Sequence, residues 1–350
     1  MKKMLAMLLA LVMILGLAAC ASTKPAADAT ATSEPSNTGD SASAETSAEA
    51  SDAAPAESGK TYTVGVCQLV QHEALDAATQ GFVDALKEAL GDAVTIDVQN
   101  ASGDSVNCGT IVNGFVAKGV DLIMANATPA LTAAVSATAD IPILGTSITA
   151  YGVALDIDDF NGTVGGNVSG TSDLADLQKQ AQMILDWFPE TKTVGLLFCS
   201  AEPNSRYQID EVRKALEAQG VTCEEFAFTD SNDVSSVTQK AADFSDVVYI
   251  PTDNTAASNT EAIANVLIPA GVPAICGEEG LCRGCGVATL SISYYDLGVT
   301  TGKMAAKILK GEANISEMPV EYTDATPKYN ASICDQLGIT PLDGYEAIDG

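Results

Sequence analysis

The only histidine of the chain, His72, stands in Gln71-His72-Glu73, on the loop that follows the first apolar run of the folded region. A lone His is most often a core or capping residue, but a loop between a strand and a helix also suits ligand contact. Thr128-Pro129 places a hydroxyl before a proline, the pattern of an N-cap and first helical residue. A helix opened in this way turns unpaired N–H groups and the positive end of its dipole toward a carboxylate. Asn204-Ser205 has the same form. Asp253 follows the apolar run 247–250 and precedes a helical pattern, so its carboxylate either pairs with a ligand ammonium or caps its own helix. Thr149 closes the polar loop 146–149. Glu278, with Glu279, lies in a further loop and is a reserve acceptor for an ammonium.

These residue types point to binding rather than turnover. A Ser-His-Asp arrangement would have to use His72, and the sequence contains no G-x-S-x-G elbow, no H-E-x-x-H and no G-x-x-x-x-G-K-[ST] phosphate loop. No catalytic residue and no cofactor are expected. Cys282 and Cys285 form one C-x-x-C near Cys276, without a second pair or a nearby His, which falls short of the four ligands of a closed zinc site. No metal is expected there; a local disulfide or inert thiols fit better. Cys67, Cys108 and Cys334 read as small buried apolar residues. Cys199 ends one strand and Cys223 opens the next, which separates them beyond bonding distance. Trp187, the sole tryptophan, precedes Phe188-Pro189 at a helix end, a packing position rather than a platform for a sugar.

The elements that must position these residues alternate along the chain. Strands are expected at 61–66, 95–98, 121–125 and 141–145, with amphipathic helices between them. A second set follows: helix 174–188, strand 193–198, helix 205–219, strand 221–228, helix 234–244, strand 247–250, helix 255–268 and strand 272–276. Strand-helix alternation of this kind implies parallel sheets covered by helices on both faces. The fold class is therefore α/β, as two Rossmann-like lobes with a cleft between them. Ligands of such sheets sit outside the carboxyl ends of the strands, so loops 68–73, 126–129, 146–149, 200–205, 251–255 and 277–279 should converge on one crevice.

The 350 residues suffice for two cores, and their net charge is −29, from 46 acidic and 17 basic residues. Such a chain gains nothing from counterion release on nucleic acid, which excludes that partner. Met1-Lys2-Lys3, the apolar run 4–17 and Leu17-Ala18-Ala19-Cys20 form an export signal too short in its apolar core for a stable membrane span. Leu-Ala-Ala-Cys resembles the bacterial lipobox, in which the cysteine is lipidated and becomes the mature N-terminus. Residues 21–59 are almost wholly Ala, Ser, Thr, Asp, Glu and Pro, a composition that cannot offset the entropy of ordering, and they read as an acidic tether. Residues 60–350 carry −25 once the signal (+2) and the tether (−6) are set aside, so the folded part is acidic as well.

Five motifs in order make a resemblance specific. They are 68–76, Ala127-Thr128-Pro129-Ala130, 165–170, 251–255, and Asp296-Leu297-Gly298 continuing to Gly311. Together they resemble the ABC-importer substrate-binding lipoproteins of the tryptophan/tyrosine-binding type, over nearly all of 62–342. The resemblance implies a type I periplasmic-binding-protein fold with three hinge crossings, near 149–152, 277–279 and 318–322. Lobe 1 would then take 60–149 with 280–317, and lobe 2 150–279 with 318–350. The sequence departs from that family at Gln71-His72-Glu73 and Thr149-Ala150-Tyr151, where Glu-His-Pro and Thr-Asp-Pro are frequent.

What the resemblance implies is a monomeric receptor, lipid-anchored on the extracytoplasmic face of the cell membrane. It would capture a small zwitterionic solute, an amino acid and preferably an aromatic one, and pass it to an ABC permease with its ATPase. A lipid-anchored sensor for a signalling receptor, or a receptor for a nucleoside or sugar, are the alternatives. Anchoring should depend on Cys20, because the acidic tether offers no electrostatic substitute for a thioether-linked lipid. Cys20→Ala is expected to leave the membrane fraction on cell fractionation; retention equal to wild type would rule the lipobox out.

Overall fold

The computed structural model describes residues 60–348, so the proposed signal, tether and Cys20 lie outside the described residues. The first lobe opens with β1 (Tyr62–Gln68), α1 (Glu73–Leu90), β2 (Val94–Asn100), α2 (Ser105–Lys118), β3 (Leu122–Asn126), α3 (Thr128–Ala137), β4 (Ile143–Ile148), the short α4 (Tyr151–Ala154) and β5 (Val168–Ser172). The chain then crosses to the second lobe through α5 (Leu177–Trp187), β6 (Thr193–Cys199), α6 (Pro203–Glu217), β7 (Thr222–Phe228), α7 (Val234–Phe244), β8 (Val247–Ile250), α8 (Asn254–Ala257), α9 (Thr260–Ala270), β9 (Ala274–Cys276), α10 (Glu279–Cys285) and β10 (Ala288–Ser291). It returns for α11 (Tyr294–Leu309) and β11 (Glu321–Tyr322), and ends in lobe 2 with β12 (Thr326–Tyr329), α12 (Ala331–Leu337) and β13 (Glu346–Ala347).

Sheet 1 has the order β11-β5-β4-β3-β1-β2 and sheet 2 the order β13-β12-β10-β9-β8-β6-β7. All pairings are parallel except β10 with β12. Each lobe is thus doubly wound, and its strand order reverses beside its first strand, between β1 and β3 in one lobe and between β6 and β8 in the other. That reversal opens a crevice at the carboxyl ends of the strands, because the following helices leave on opposite faces. Alternate side chains feed separate cores. Val64, Val66, Leu122 and Met124 join Phe82, Leu86 and Met304 on one face of sheet 1, while Cys67, Ile123 and Ala125 join Phe115 and Leu131 on the other. Sheet 2 divides likewise into a core around Leu196, Phe198 and Tyr249 and one around Leu197, Phe228 and Val248.

Sheet membership corrects the expected lobe boundaries. β5 pairs with β4 and stays in lobe 1, so the first crossing is at 173–176 and not at 149–152. β10, expected in lobe 1, pairs with β9 in lobe 2, which moves the second crossing from 277–279 to 292–293. β11 pairs with β5, and the third crossing follows it at 323–325. The reason is that β5, Val-Ser-Gly-Thr-Ser, is buried throughout yet almost devoid of apolar side chains. Its hydroxyls are satisfied internally: Ser169 donates to Met318 O at 3.0 Å, and Thr171 shares hydrogen bonds with Thr146 (3.1 Å) and Thr301 (2.9 Å). Hydropathy cannot show a strand that is buried by hydroxyl pairing.

Trp187 packs as expected, in a lobe 2 core and edge-on to Tyr345 with centroids 5.1 Å apart. The eight cysteines among the described residues are free thiols, and burial pushes that of Cys282 well up, which makes it inert.

Helices α1 and α11 cross so closely that a Cβ on Gly298 would overlap the carbonyl of Ala78, and one on Gly81 that of Tyr295. Gly298→Ala must therefore push two helix backbones apart, at a cost of about 1–3 kcal/mol or more. Gly114, in the exposed face of α2, has nothing within 4 Å of such a Cβ, and Gly114→Ala should add up to about 1 kcal/mol through helix propensity. Chemical denaturation of both variants checks the pair; equal stabilities would refute the close helix crossing.

Candidate functional site

The six loops at the carboxyl ends of the strands meet between the lobes. A small inner cavity, of about 10 Å³ open to the centre of a water molecule, is lined by lobe 1 residues that include His72, Ser147, Thr149 and Asp173, by Tyr294 at the second crossing, and by lobe 2 residues that include Asn204, Asp253 and Glu278. An outer cavity of about 450 Å³ adjoins it at Asn254; Leu69, Val70 and Pro129 line it from one lobe and Ala201, Glu202 and Thr255 from the other.

In lobe 2 the wall is built by two buried carboxylates. Glu202 occupies the N-cap of α6 and accepts hydrogen bonds from the backbone N–H of Asn254 (3.0 Å) and Thr255 (2.9 Å), and from their side chains at 2.7 and 2.8 Å. Asp253 is the N-cap of α8: its Oδ1 accepts from Ala256 N at 2.8 Å, and its Oδ2 from Cys199 N at 2.6 Å and Ser205 Oγ at 2.7 Å. The capping role is therefore realised, and a carboxylate already holding three donors is a poor free acceptor for a ligand ammonium. Glu278 likewise caps α10, accepting from Gly280 N and Leu281 N. Burial pushes the Asp253 carboxyl up to about 7, with the charge of Glu202 adding to the effect, and burial pushes Glu278 up to about 7.

Two helix starts differ from expectation. α3 begins at Thr128 with Ala127 as its N-cap, so Thr128 is buried in the first turn and does not line the inner cavity. α6 begins at Pro203 after Glu202, so Asn204 also lies inside the first turn. In both cases the strand runs on to a tighter turn than the cap pattern suggested. Ala127 has φ 87° and Ser147 φ 55°, left-handed conformations that cost free energy for residues with a Cβ and that cluster at working sites.

His72 spans the lobes: its Nε2 lies 3.3 Å from Asn254 Oδ1, and burial lowers its pKa, which keeps the ring neutral near pH 7. Below it Arg283 joins Glu73 of α1 (3.0 Å) to Glu279 of α10 (2.9 Å), and Lys328 reaches Glu279 at 2.5 Å. The inner cavity thus unites five of the expected residues, His72, Thr149, Asn204, Asp253 and Glu278. Sequence reasoning missed Asp173 and Tyr294, which sit at crossings placed elsewhere. Asp173 is buried, accepts from Tyr294 OH at 2.9 Å, and burial pushes its carboxyl up to about 6. The inner lining holds three carboxyls and neither Lys nor Arg.

Comparison with known proteins places this arrangement. The profile of the ABC transporter substrate binding protein family matches residues 63–344. The tyrosine-binding protein of Clostridioides difficile is 33% identical over 276 residues, 77% of this chain and 79% of its own. The crystal structure of an ABC domain in complex with L-Trp from Streptococcus pneumoniae is 33% identical with a TM-score of 0.78, covering 83% of this chain and 100% of its own. The ligand-free, open structure of a substrate-binding protein with adhesive properties from Clostridium difficile, at 34% identity and covering 83% of this chain and 99% of its own, gives only 0.63. From the family match over most of its length and from this two-lobed fold, the chain belongs to the ABC transporter substrate binding proteins.

Proposed function

We propose that the chain is a lipid-anchored receptor on the extracytoplasmic face of the membrane that captures an aromatic α-amino acid between its lobes and delivers it, as a monomer, to an ABC permease and its ATPase. The observation that carries this reading is the cavity closed between the lobes, with polar groups from both and the His72–Asn254 contact across it. Its charge supports the ligand class: three carboxyls without a basic side chain repel a net anion and suit an ammonium. The relatives named for tyrosine binding and solved with L-Trp support an aromatic side chain. Among the described residues no helix is long and apolar enough to cross a membrane, so attachment would rest on Cys20.

Isothermal titration with L-tryptophan, L-tyrosine and L-phenylalanine, with L-leucine and L-aspartate as contrasts, tests the reading. Saturable binding of at least one aromatic amino acid, with none of aspartate, is expected; no aromatic binding would sink it.

The site also predicts a pH dependence. Asp173, Asp253 and Glu278 stay protonated in the folded chain at pH values where the unfolded chain has ionised them. Their stabilising contribution is complete below about pH 4 and is lost as pH rises through about 6 to 7. The Tm of the ligand-free protein should fall between about pH 5 and about pH 8, and a bound ammonium should shrink that fall. A ligand-free Tm that rises over this range would contradict the raised carboxyls.

A further inference from the structure

Among the described residues nine buried side-chain polar atoms have no hydrogen-bonding partner within the chain, and three of them belong to residues that line the inner cavity: Ser147 Oγ, Asp173 Oδ1 and Asn204 Oδ1. Each of these residues is at least nine-tenths buried. Buried oxygens in folded proteins are paired as a rule, and one left unpaired costs free energy until something donates to it. Three acceptors on one small cavity match the three N–H donors of one primary ammonium.

The other carboxylates of the cleft do not compete for this task. Glu278 spends its oxygens on the first N–H groups of its own helix, Glu202 on those of α8, and Asp253 on Ala256 N of its own helix, Cys199 N and the Ser205 hydroxyl. Asp173 differs in kind: Tyr294 OH holds Oδ2 and the Thr149 hydroxyl stands near the carboxylate, while Oδ1, on a residue that lines the cavity, has no hydrogen-bond partner of good geometry. Asn204 is oriented in the same way, since its Nδ2 donates to Glu202 Oε2 at 3.2 Å and Thr252 O at 3.1 Å while Oδ1 is left over. Ser147 is held at φ 55° at the end of β4.

We infer that Asp173 Oδ1, Asn204 Oδ1 and Ser147 Oγ together receive the primary ammonium of the ligand, with Asp173 as its counter-charge. The assignment deepens the amino-acid reading above and rests on it. It gives the ammonium contacts in both lobes and at a crossing, since Ser147 ends a lobe 1 strand, Asn204 lies in α6 of lobe 2, and Asp173 follows β5 where the chain leaves lobe 1. Tyr294 opens α11 at the second crossing, so the ammonium's counter-ion touches two of the three hinges. It also defines a selectivity: an N-methylated amine, with one N–H fewer, leaves one of the three oxygens unmet.

The test compares each aromatic amino acid with its deaminated analogue (3-indolepropionate, 3-(4-hydroxyphenyl)propionate or 3-phenylpropionate) by calorimetry on the full-length protein. Asp173→Asn, which keeps the shape and removes the charge, is expected to weaken the amino acid by at least about thirtyfold. The deaminated analogue should change by no more than about twofold, since it never met the charge. Ser147→Ala should weaken the amino acid by about tenfold and spare the analogue, and it carries the same comparison if Asp173→Asn does not fold. Wild type that binds no aromatic amino acid overturns the amino-acid reading, and this assignment with it. Wild type that binds, with variants that lose nothing or lose both ligands equally, overturns the ammonium assignment alone, because oxygens bridged by a structural water would affect both ligands alike.

Discussion

The carboxylate of Glu202 is the joint on which the binding wall of lobe 2 depends. It lies at the N-cap of one helix and accepts from the first backbone N–H groups of another, so α6 and α8 start from one buried point. Taking a charge out of water is costly unless donors replace the water, and here four short hydrogen bonds from Asn254 and Thr255 do so. Asp253 repeats the device one step away, by fixing the end of β6 through Cys199 N and the first turn of α6 through Ser205. With both helix starts pinned, Asn204 and Asn254 face the cleft at set positions, and Asn254 is where the opposite lobe makes contact through His72.

Lobe 1 builds its side by strain instead of saturation. Ala127 and Ser147 hold left-handed backbone at the ends of β3 and β4, and the pairing of β4 with β5 shifts register between Gly145 and Ile148. The neighbourhood enforces this shape. Tyr151 OH donates to Thr171 O at 3.2 Å, and that hydroxyl and the backbone of Gly145 stand where a Cβ on Gly170 would have to go. A strained turn in a packed surround stays put when a ligand arrives, which is what preorganised recognition requires.

The seam between the lobes is held more weakly. The Arg283–Glu73 pair between α10 and α1 is exposed enough to contribute about 0–1 kcal/mol, and the His72–Asn254 contact is a long one at 3.3 Å. Two lobes that are rigid inside and loosely joined along one seam can hinge, and a ligand with contacts in both shifts the balance toward closure.

Much of this was legible in the chain. Alternating apolar runs and amphipathic stretches determined the α/β class, the parallel sheets and the convergence of six loops, because burying both faces of a sheet needs that periodicity whatever the details. His72, Thr149, Asp253 and Glu278 could be placed on the cavity because they stand at or just after strand ends, and Asn204 because it lies in the first turn of the helix that follows β6. Only the tertiary structure decided where the chain crosses, since β5 is buried by paired hydroxyls of Ser169 and Thr171 that read as loop in a hydropathy pattern. It alone separated Asp253, whose oxygens are taken by Cys199, Ser205 and Ala256, from Asp173, which keeps one oxygen for the cavity. A carboxylate's role is set by which donors reach it first, and those donors include residues as far along the chain as Cys199 is from Asp253 and Tyr294 from Asp173.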